Sequence, residues 1–279
     1  MIRKDKSENM RHSNLIEICD LNSHYASRQV LFDIRFGIPH RQITVIMGMS
    51  GCGKTTLLRH LIGLKRTSPG EILVEGQDLG GFDEDGMQAY RRRIGVLFQS
   101  GALFNSMTVE ENIAVPLKVH TRLSHETIQI MALIKLNFLG LAEFGGFMPS
   151  QLSGGMRKRA ALARALAMDP EILFVDEPSS GLDPITAAGL DLLLLELRDT
   201  LGMTIIVVTH ELESAFRISD LLVVMDRGRI LAVGSPDEIQ KSEDVRVKQF
   251  LRREADTVEA DTADYLSRLM GKGIVRSEQ

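Results

Sequence analysis

The sequence predicts an α/β fold built on a mainly parallel sheet with helices on both faces. Predominantly apolar runs of strand length recur along the chain, for example Ile43–Met47 and Met203–Val208. Helical patterns such as the leucine-rich stretch Ala187–Gly202 separate these runs, and strands that alternate with helices imply parallel pairing. The apolar fraction of 44% is sufficient for a sizeable core.

Before the first of these runs, apolar and polar residues alternate. The stretches LIEICDL and VLFDIRFGI, between Leu15 and Pro39, are typical of antiparallel strands. A buried strand (ITVIM), a glycine-rich turn and a helix (TTLLRHLIGL) follow them. EILVEG then predicts a short strand, and RRRIGVLFQ predicts a helix end that leads into another strand.

The middle and the ends of the chain depart from this pattern. Residues from about 105 to 165 contain several helical runs, which predicts a mostly helical insert. Parallel-strand patterns return with EILFVDEP, TIIVVTH and LLVVMDRGRI, and they end near Ser235. We therefore expect a polar, disordered arm over 1–13, one domain over 14–235 and a C-terminal extension over 236–279.

Composition limits the classes of partner. The formal net charge of -4 argues against nucleic acid as the main partner. We find neither an apolar run long enough for a membrane helix nor a signal peptide, so we expect the chain in the cytosol. Cys19 and Cys52 match no metal or disulfide spacing. A membrane role would therefore require a separate partner.

The strongest motif is a glycine-rich loop between a predicted strand and a predicted helix. Glycines let the backbone wrap around phosphates, and the loop amides and the helix N-terminus favour the anion. Lys54 is expected to bridge the β- and γ-phosphates, and the Thr55 hydroxyl is expected to bind Mg²⁺. A chance glycine-rich turn does not explain the strand before it and the helix after it. The expected phosphate-site residues are Gly48, Ser50, Gly51, Cys52, Gly53, Lys54, Thr55 and Thr56.

Two adjacent carboxylates end the apolar strand ILFVDE. Asp176 is expected to hold Mg²⁺ through water, and Glu177 to orient or deprotonate an attacking water. An isolated pair of this kind is often a solvated turn, but this pair follows a phosphate loop.

The third motif is Leu152-Ser-Gly-Gly-Met156, which is followed by RKRAALARALAMDP. Ser153 suits a helix N-cap, so its hydroxyl and the amides around Gly154 and Gly155 would face an anion ahead of the helix. Alone, the motif would be an ordinary capped helix. In this context it resembles the LSGGQ signature of ABC ATPases, with Met156 in place of the glutamine.

The resemblance to ABC ATPases implies roles for four further residues. Tyr25 would stack on adenine, Gln99 would contact Mg²⁺ and water, Asp183 would communicate across a dimer, and His210 would contact the γ-phosphate. A strand tyrosine, an exposed loop glutamine, a helix-capping turn and a packing histidine are the respective alternatives. The implied fold is a P-loop NTPase (RecA-like) core with an antiparallel β subdomain and an inserted helical subdomain.

The same resemblance implies a mechanism and partners. Two copies would bind ATP head to tail, each phosphate loop facing the partner's signature helix, and the cycle would drive a multispanning permease. The stretch SGALFNSMTVEENIAVPL, with LSGGMRKR, resembles ATPases of the Mla/Mce phospholipid transport systems. This implies lipid-binding envelope components and a place on the cytoplasmic face of the inner membrane. Another ABC importer, or a soluble cassette without a permease, stays open at this point.

Two further expectations concern Cys52 and the C-terminal extension. Cys52 lies near Lys54 and a helix N-terminus, both of which favour a reactive thiolate, and the alternative is a small residue that merely fits the loop. The stretches VKQFLRRE and TADYLSRLMGKG carry apolar residues at helical spacing. Both are too short to be helical without a packing surface, and we expect the second to dock on the other subunit. A frayed terminus, or a helix packed on its own core, is the alternative.

Overall fold

The computed structural model describes residues 14–254, which form two sheets and the helices around them. The strands are β1 (Asn14–Tyr25), β2 (Arg28–Pro39), β3 (Ile43–Gly48), β4 (Ile72–Val74), β5 (Gln77–Asp78), β6 (Ile94–Leu97), β7 (Ile172–Asp176), β8 (Thr204–Thr209), β9 (Leu221–Asp226) and β10 (Arg229–Gly234). The helices are α1 (Lys54–Leu61), α2 (Glu84–Arg92), α3 (Val109–His120), α4 (His125–Phe138), α5 (Gly154–Ala165), α6 (Pro184–Leu201), α7 (Leu212–Ile218), α8 (Pro236–Gln240) and α9 (Val245–Leu251).

The larger sheet has six strands in the order β10-β9-β3-β8-β7-β6. All neighbours pair in parallel except the edge strand β10, which is antiparallel to β9. The residues of β3, β7 and β8 are buried throughout, as expected for strands that are covered on both faces. Parallel pairing puts the carboxyl ends of these strands at one edge of the sheet, and the predicted site motifs follow those ends.

The smaller sheet is antiparallel, in the order β2-β1-β4-β5. Its apolar side chains share a core with α1 and with one face of the larger sheet. Leu57, Leu58 and Leu61 are the fully buried leucines of α1 in that core. The helix that follows the glycine-rich loop therefore lies between the two sheets. The predicted antiparallel strands and this helix are confirmed.

Helices α3, α4 and α5 pack on one another and form the predicted helical insert between β6 and β7. Thr108 and Glu111 form a capping box at the start of α3. The buried Asn112 amide bonds to Phe104 and to the carbonyls of Met107 and Thr108. This network stabilises the loop that leads from β6 into the insert.

The first part of the C-terminal extension packs on the larger sheet of its own chain. VKQFLRRE contributes α9, whose Val247 is fully buried in the core. Arg246 pairs with Asp226 at the end of β9, with an N–O distance of 3.0 Å. The arm 1–13 and the segment TADYLSRLMGKG lie outside the described residues. Within 14–254, no helix combines the length and apolarity of a membrane span.

Candidate functional site

The glycine-rich loop connects β3 to α1, and its glycines, such as Gly48 and Gly53, meet backbone constraints that other residues would not. A Cβ on Gly48 would lie 2.2 Å from the Met225 carbonyl oxygen, which leaves no room for a side chain. Gly53 has a φ of +107°, in the left-handed region that favours glycine. The buried Lys54 ammonium donates to the carbonyls of Gly48 (2.8 Å) and Met49 (3.0 Å). A positive charge therefore lies within the loop.

The other loop residues divide into an exposed and a buried group. Ser50, Gly51 and Thr55 are exposed, whereas Thr56 and Cys52 are buried. Burial raises the pKa of the Cys52 thiol, and this effect is larger than the opposing effect of Lys54. The expectation of a reactive thiolate was therefore wrong, because a nearby cation does not offset the cost of charging a thiol that is only 4% exposed.

Asp176 ends β7 and is buried. Its Oδ1 has no hydrogen-bond partner among the described residues. Burial raises the pKa of this carboxyl, and the neighbouring Glu177 charge raises it further. A buried, unpaired carboxylate oxygen beside the phosphate loop is a suitable ligand for a cation.

Glu177 and His210 follow the adjacent strands β7 and β8, and the structure brings their side chains together. His210 Nδ1 lies 2.8 Å from Glu177 Oε2, and the Thr209 hydroxyl lies 3.5 Å from the same oxygen. The imidazole is half exposed, whereas only 13% of the carboxylate side chain is exposed. This pair can therefore orient a water molecule that enters from the exposed side.

Gln99 contacts the segment that follows Glu177, and Asp183 lies at the end of that segment, where α6 begins. The Gln99 amide donates to the Ser180 hydroxyl at 3.2 Å, which joins the end of β6 to the segment after Glu177. Asp183 caps α6, and its carboxylate accepts from the Thr186 hydroxyl at 2.6 Å. That bond lowers the pKa of Asp183. Asp183 thus acts as a helix cap, and its role across a dimer stays a prediction.

The signature motif begins helix α5, and Ser153 is its N-cap as expected. The Ser153 side chain is exposed and accepts from the Met156 amide at 3.3 Å. Gly154 and Gly155 pack against Leu182 and Thr186, on either side of Asp183. The motif therefore lies beside the start of α6.

Tyr25 ends β1 next to the helix that follows the phosphate loop. The residue is 44% exposed, and the Lys65 ammonium lies 3.8 Å from the ring centroid. Arg59 donates to the phenol oxygen at 3.2 Å. This hydrogen bond is the main cause that lowers the pKa of Tyr25, and a bond with Thr56 also contributes. The ring is thus fixed in place while much of it stays accessible.

The sequence reasoning missed Lys158, which lies on α5 and contacts two parts of the site. Its ammonium donates to the backbone carbonyls of Gln99 (2.5 Å) and Glu177 (3.2 Å). In the sequence it is the middle residue of a basic triplet. Its helical spacing from Ala161 and Leu162, which are both buried, is the signal that could have indicated an inward position.

Comparisons with known proteins agree with this geometry. Residues 31–180 match the family described as ABC transporter. The intermembrane phospholipid transport system ATP-binding protein MlaF of Haemophilus influenzae is 40% identical over 88% of this chain and 93% of its own length. A Clostridium perfringens structure, cbiO1, part of an ABC transporter complex, has a TM-score of 0.76 at 29% identity and covers 93% of this chain and 99% of its own. A dimeric bacterial ABC transporter cassette has a TM-score of 0.73 at 30% identity, covering 79% and 98%. The chain belongs to the ABC transporter family, as one of its ATP-hydrolysing subunits.

Proposed function

We propose that this chain is the ATPase of a phospholipid transport system, working with a second copy of itself and a multispanning permease. The observation that carries this proposal is the 40% identity to the MlaF protein, over nine-tenths of that protein. The permease would hold the chain at the cytoplasmic face of the inner membrane. Lipid-binding envelope components would complete the system.

ATP would be held from the phosphate loop outward. The Lys54 ammonium would exchange the carbonyls of Gly48 and Met49 for the β- and γ-phosphates, since it already lies within the loop. The exposed Ser50 and Gly51 would offer backbone amides to the same groups. The adenine would stack on the accessible face of the fixed Tyr25 ring.

The residues present fit a Mg²⁺ ion, because the buried Asp176 Oδ1 lacks a partner within 14–254. Asp176, Thr55 and Gln99 would hold the ion, and carboxylate, hydroxyl and amide oxygens are the ligands it prefers. When bound, Mg²⁺ would neutralise charge on the phosphates.

Hydrolysis would depend on Glu177 and His210. Glu177 Oε2 would accept a hydrogen bond, and then a proton, from the attacking water. His210 Nδ1, 2.8 Å from that oxygen, would fix the carboxylate, and the ring would contact the γ-phosphate. The bond to the carboxylate needs a proton on Nδ1, and a hydrogen bond from Nε2 to a γ-phosphate oxygen needs a proton on that nitrogen as well.

The dimer would supply the other half of each site. Ser153, Gly154 and Gly155 form an exposed or half-exposed helix N-terminus that would meet the γ-phosphate bound to the partner. Asp183 bonds to Thr186, which packs against Gly155 of this motif. Asp183 would therefore couple closure of the dimer at one ATP site to the other site. The similarity to a dimeric ABC cassette supports this arrangement.

Glu177→Gln tests the assignment of the base. We expect this variant to bind ATP and accumulate an ATP-bound dimer, with turnover lowered by at least about 100-fold. Lys54→Ala should instead lose ATP affinity, and Glu84→Gln, at an exposed position on α2, should behave like wild type. Steady-state hydrolysis and gel filtration with ATP measure both effects. Near-normal turnover in Glu177→Gln would eliminate Glu177 as the base.

Reconstitution tests the transported substrate. The tagged full-length chain is purified with its permease from detergent-solubilised membranes and placed in liposomes that contain a fluorescent phospholipid. We expect lipid transfer that requires ATP and stops with Glu177→Gln. Hydrolysis without any phospholipid transfer would refute the substrate class and leave the ATPase assignment intact.

A further inference from the structure

Lys158 is a buried cation with two backbone partners in the site. The residue is 7% exposed, and its ammonium lies between the carbonyl oxygens of Gln99 and Glu177. Burial lowers the pKa of this lysine, while the charges of Asp176 and Glu177 oppose that shift. Burying an ammonium costs free energy unless the group is hydrogen-bonded. The two carbonyls that bind the Lys158 ammonium belong to Gln99, the predicted contact to Mg²⁺ and water, and to Glu177, the predicted base.

The Glu177 backbone needs such a partner because its conformation is unfavourable. Glu177 has a φ of +47°, in the left-handed region that costs a residue with a Cβ about 1–2 kcal/mol. Its amide donates to the Val208 carbonyl at 2.8 Å, and its carbonyl accepts from Lys158. These two bonds fix the peptide groups on both sides of the Glu177 side chain, which sets the direction in which the carboxylate leaves the backbone.

The same helix holds the segment after Gln99 at a second point. Arg164, six residues after Lys158, donates to the carbonyls of Gly101 (3.0 Å) and Ala102 (2.7 Å). Ala102 also has a left-handed φ, of +49°. Helix α5 therefore contacts the backbone of both site segments that flank the insert.

We propose that Lys158 is a positioning residue for hydrolysis, which fixes the Glu177 and Gln99 backbones and joins them to helix α5, whose N-cap is Ser153. Ser153 lies five residues earlier, a rise of about 7.5 Å along one rigid helix. A γ-phosphate that binds Ser153 from the partner would thus act, through Lys158, on the base of this chain's own site. The inference rests on the proposed role of Glu177.

Lys158→Met removes the ammonium while it keeps a long side chain that suits the buried position. We expect kcat for ATP hydrolysis to fall by about 10- to 100-fold, because a base displaced by a fraction of an ångström loses its alignment. KM for ATP should change by less than about threefold, since neither carbonyl belongs to the phosphate loop. Lys158→Gln, whose amide can still donate to one carbonyl, should recover part of the lost kcat.

The assays use the full-length chain, and Lys118→Met at an exposed position on α3 is the matched control. A positioning role also predicts that Lys158→Met accumulates an ATP-bound dimer on gel filtration, as Glu177→Gln does. A purely structural role would instead lower the unfolding midpoint and abolish ATP binding in both variants, which would overturn the inference. So would a kcat within about twofold of wild type in Lys158→Met, or in Lys158→Leu, which also lacks a donor, if the first variant does not fold. If the wild-type chain itself did not hydrolyse ATP, the proposed function would be refuted instead.

Discussion

Gly155→Ala should destabilise the protein, although replacing glycine by alanine within a helix usually stabilises it. An added Cβ on Gly155 would lie 2.4 Å from Thr186 Cγ2, well inside the van der Waals contact distance. Thr186 cannot turn away freely, because its hydroxyl donates to Asp183 Oδ2 at 2.6 Å. Its branched Cβ also restricts χ1. The clash must therefore displace α5 from α6.

The magnitude follows from comparison with the preceding glycine. Overpacking of a well-packed contact costs about 1–3 kcal/mol, and replacing a helical glycine by alanine gains up to about 1 kcal/mol. A Cβ on Gly154 would meet Leu182 Cδ2 at 3.5 Å, an ordinary contact. Gly154→Ala should therefore have the stabilising effect of alanine in a helix without a steric clash. We expect Gly155→Ala to be less stable than Gly154→Ala by about 1–3 kcal/mol.

Urea unfolding of the nucleotide-free full-length chain measures this difference. Thr186→Ser removes the methyl group in the clash and keeps the hydroxyl that bonds to Asp183. In a double-mutant cycle, Gly155→Ala and Thr186→Ser should therefore couple favourably by about 1 kcal/mol or more. Equal stability of the two alanine variants, or a coupling near zero, would refute the packing argument.

Three further predictions concern buried titratable groups. Burial lowers the pKa of His60 to about 4 from 6.5, so the folded state excludes a proton that the unfolded state binds. Unfolding free energy should fall by about 2 kcal/mol between pH 7 and pH 5, and His60→Leu should remove most of that change in urea titrations. Maleimide should label Cys52 more slowly than the less buried Cys19 at pH 7, and the rates should converge in urea; faster labelling of Cys52 would contradict its burial. Burial raises the pKa of Asp176 in the folded protein above its value in the unfolded chain. The free energy of unfolding should therefore fall as the pH rises above the pKa that Asp176 has in the unfolded chain. Asp176→Asn should therefore raise the nucleotide-free unfolding midpoint at pH 7 and leave it nearly unchanged well below pH 4.

The sequence was sufficient for the elements whose local signals agree. The strand, glycine-rich turn and helix around Lys54 combine apolar periodicity, turn chemistry and a charged residue in one short segment, and the structure has the same order. Parallel pairing then accounts for the meeting of Glu177 with His210, because both residues follow neighbouring strands.

The sequence was insufficient where tertiary packing decides the outcome. The cation next to Cys52 suggested a thiolate, but the depth of that thiol depends on a core made by both sheets. Helical spacing could indicate that Lys158 points inward, but only the fold shows that its ammonium meets the carbonyls of Gln99 and Glu177. Contacts between distant segments, rather than local pattern, determine both environments.

The position of the helical insert explains how a contact on its surface can affect the position of the catalytic residues. It leaves the core just after Gln99 and returns through β7, which ends at Asp176. Lys158 and Arg164 hold the start of the insert to its last helix, and Lys158 also holds the residue after Asp176. A rigid-body shift of the insert must therefore carry the Gln99 and Glu177 segments with it, or break these charge-assisted hydrogen bonds. Since breaking them leaves an unpaired ammonium in the interior, we expect the insert and the two site segments to move as one unit.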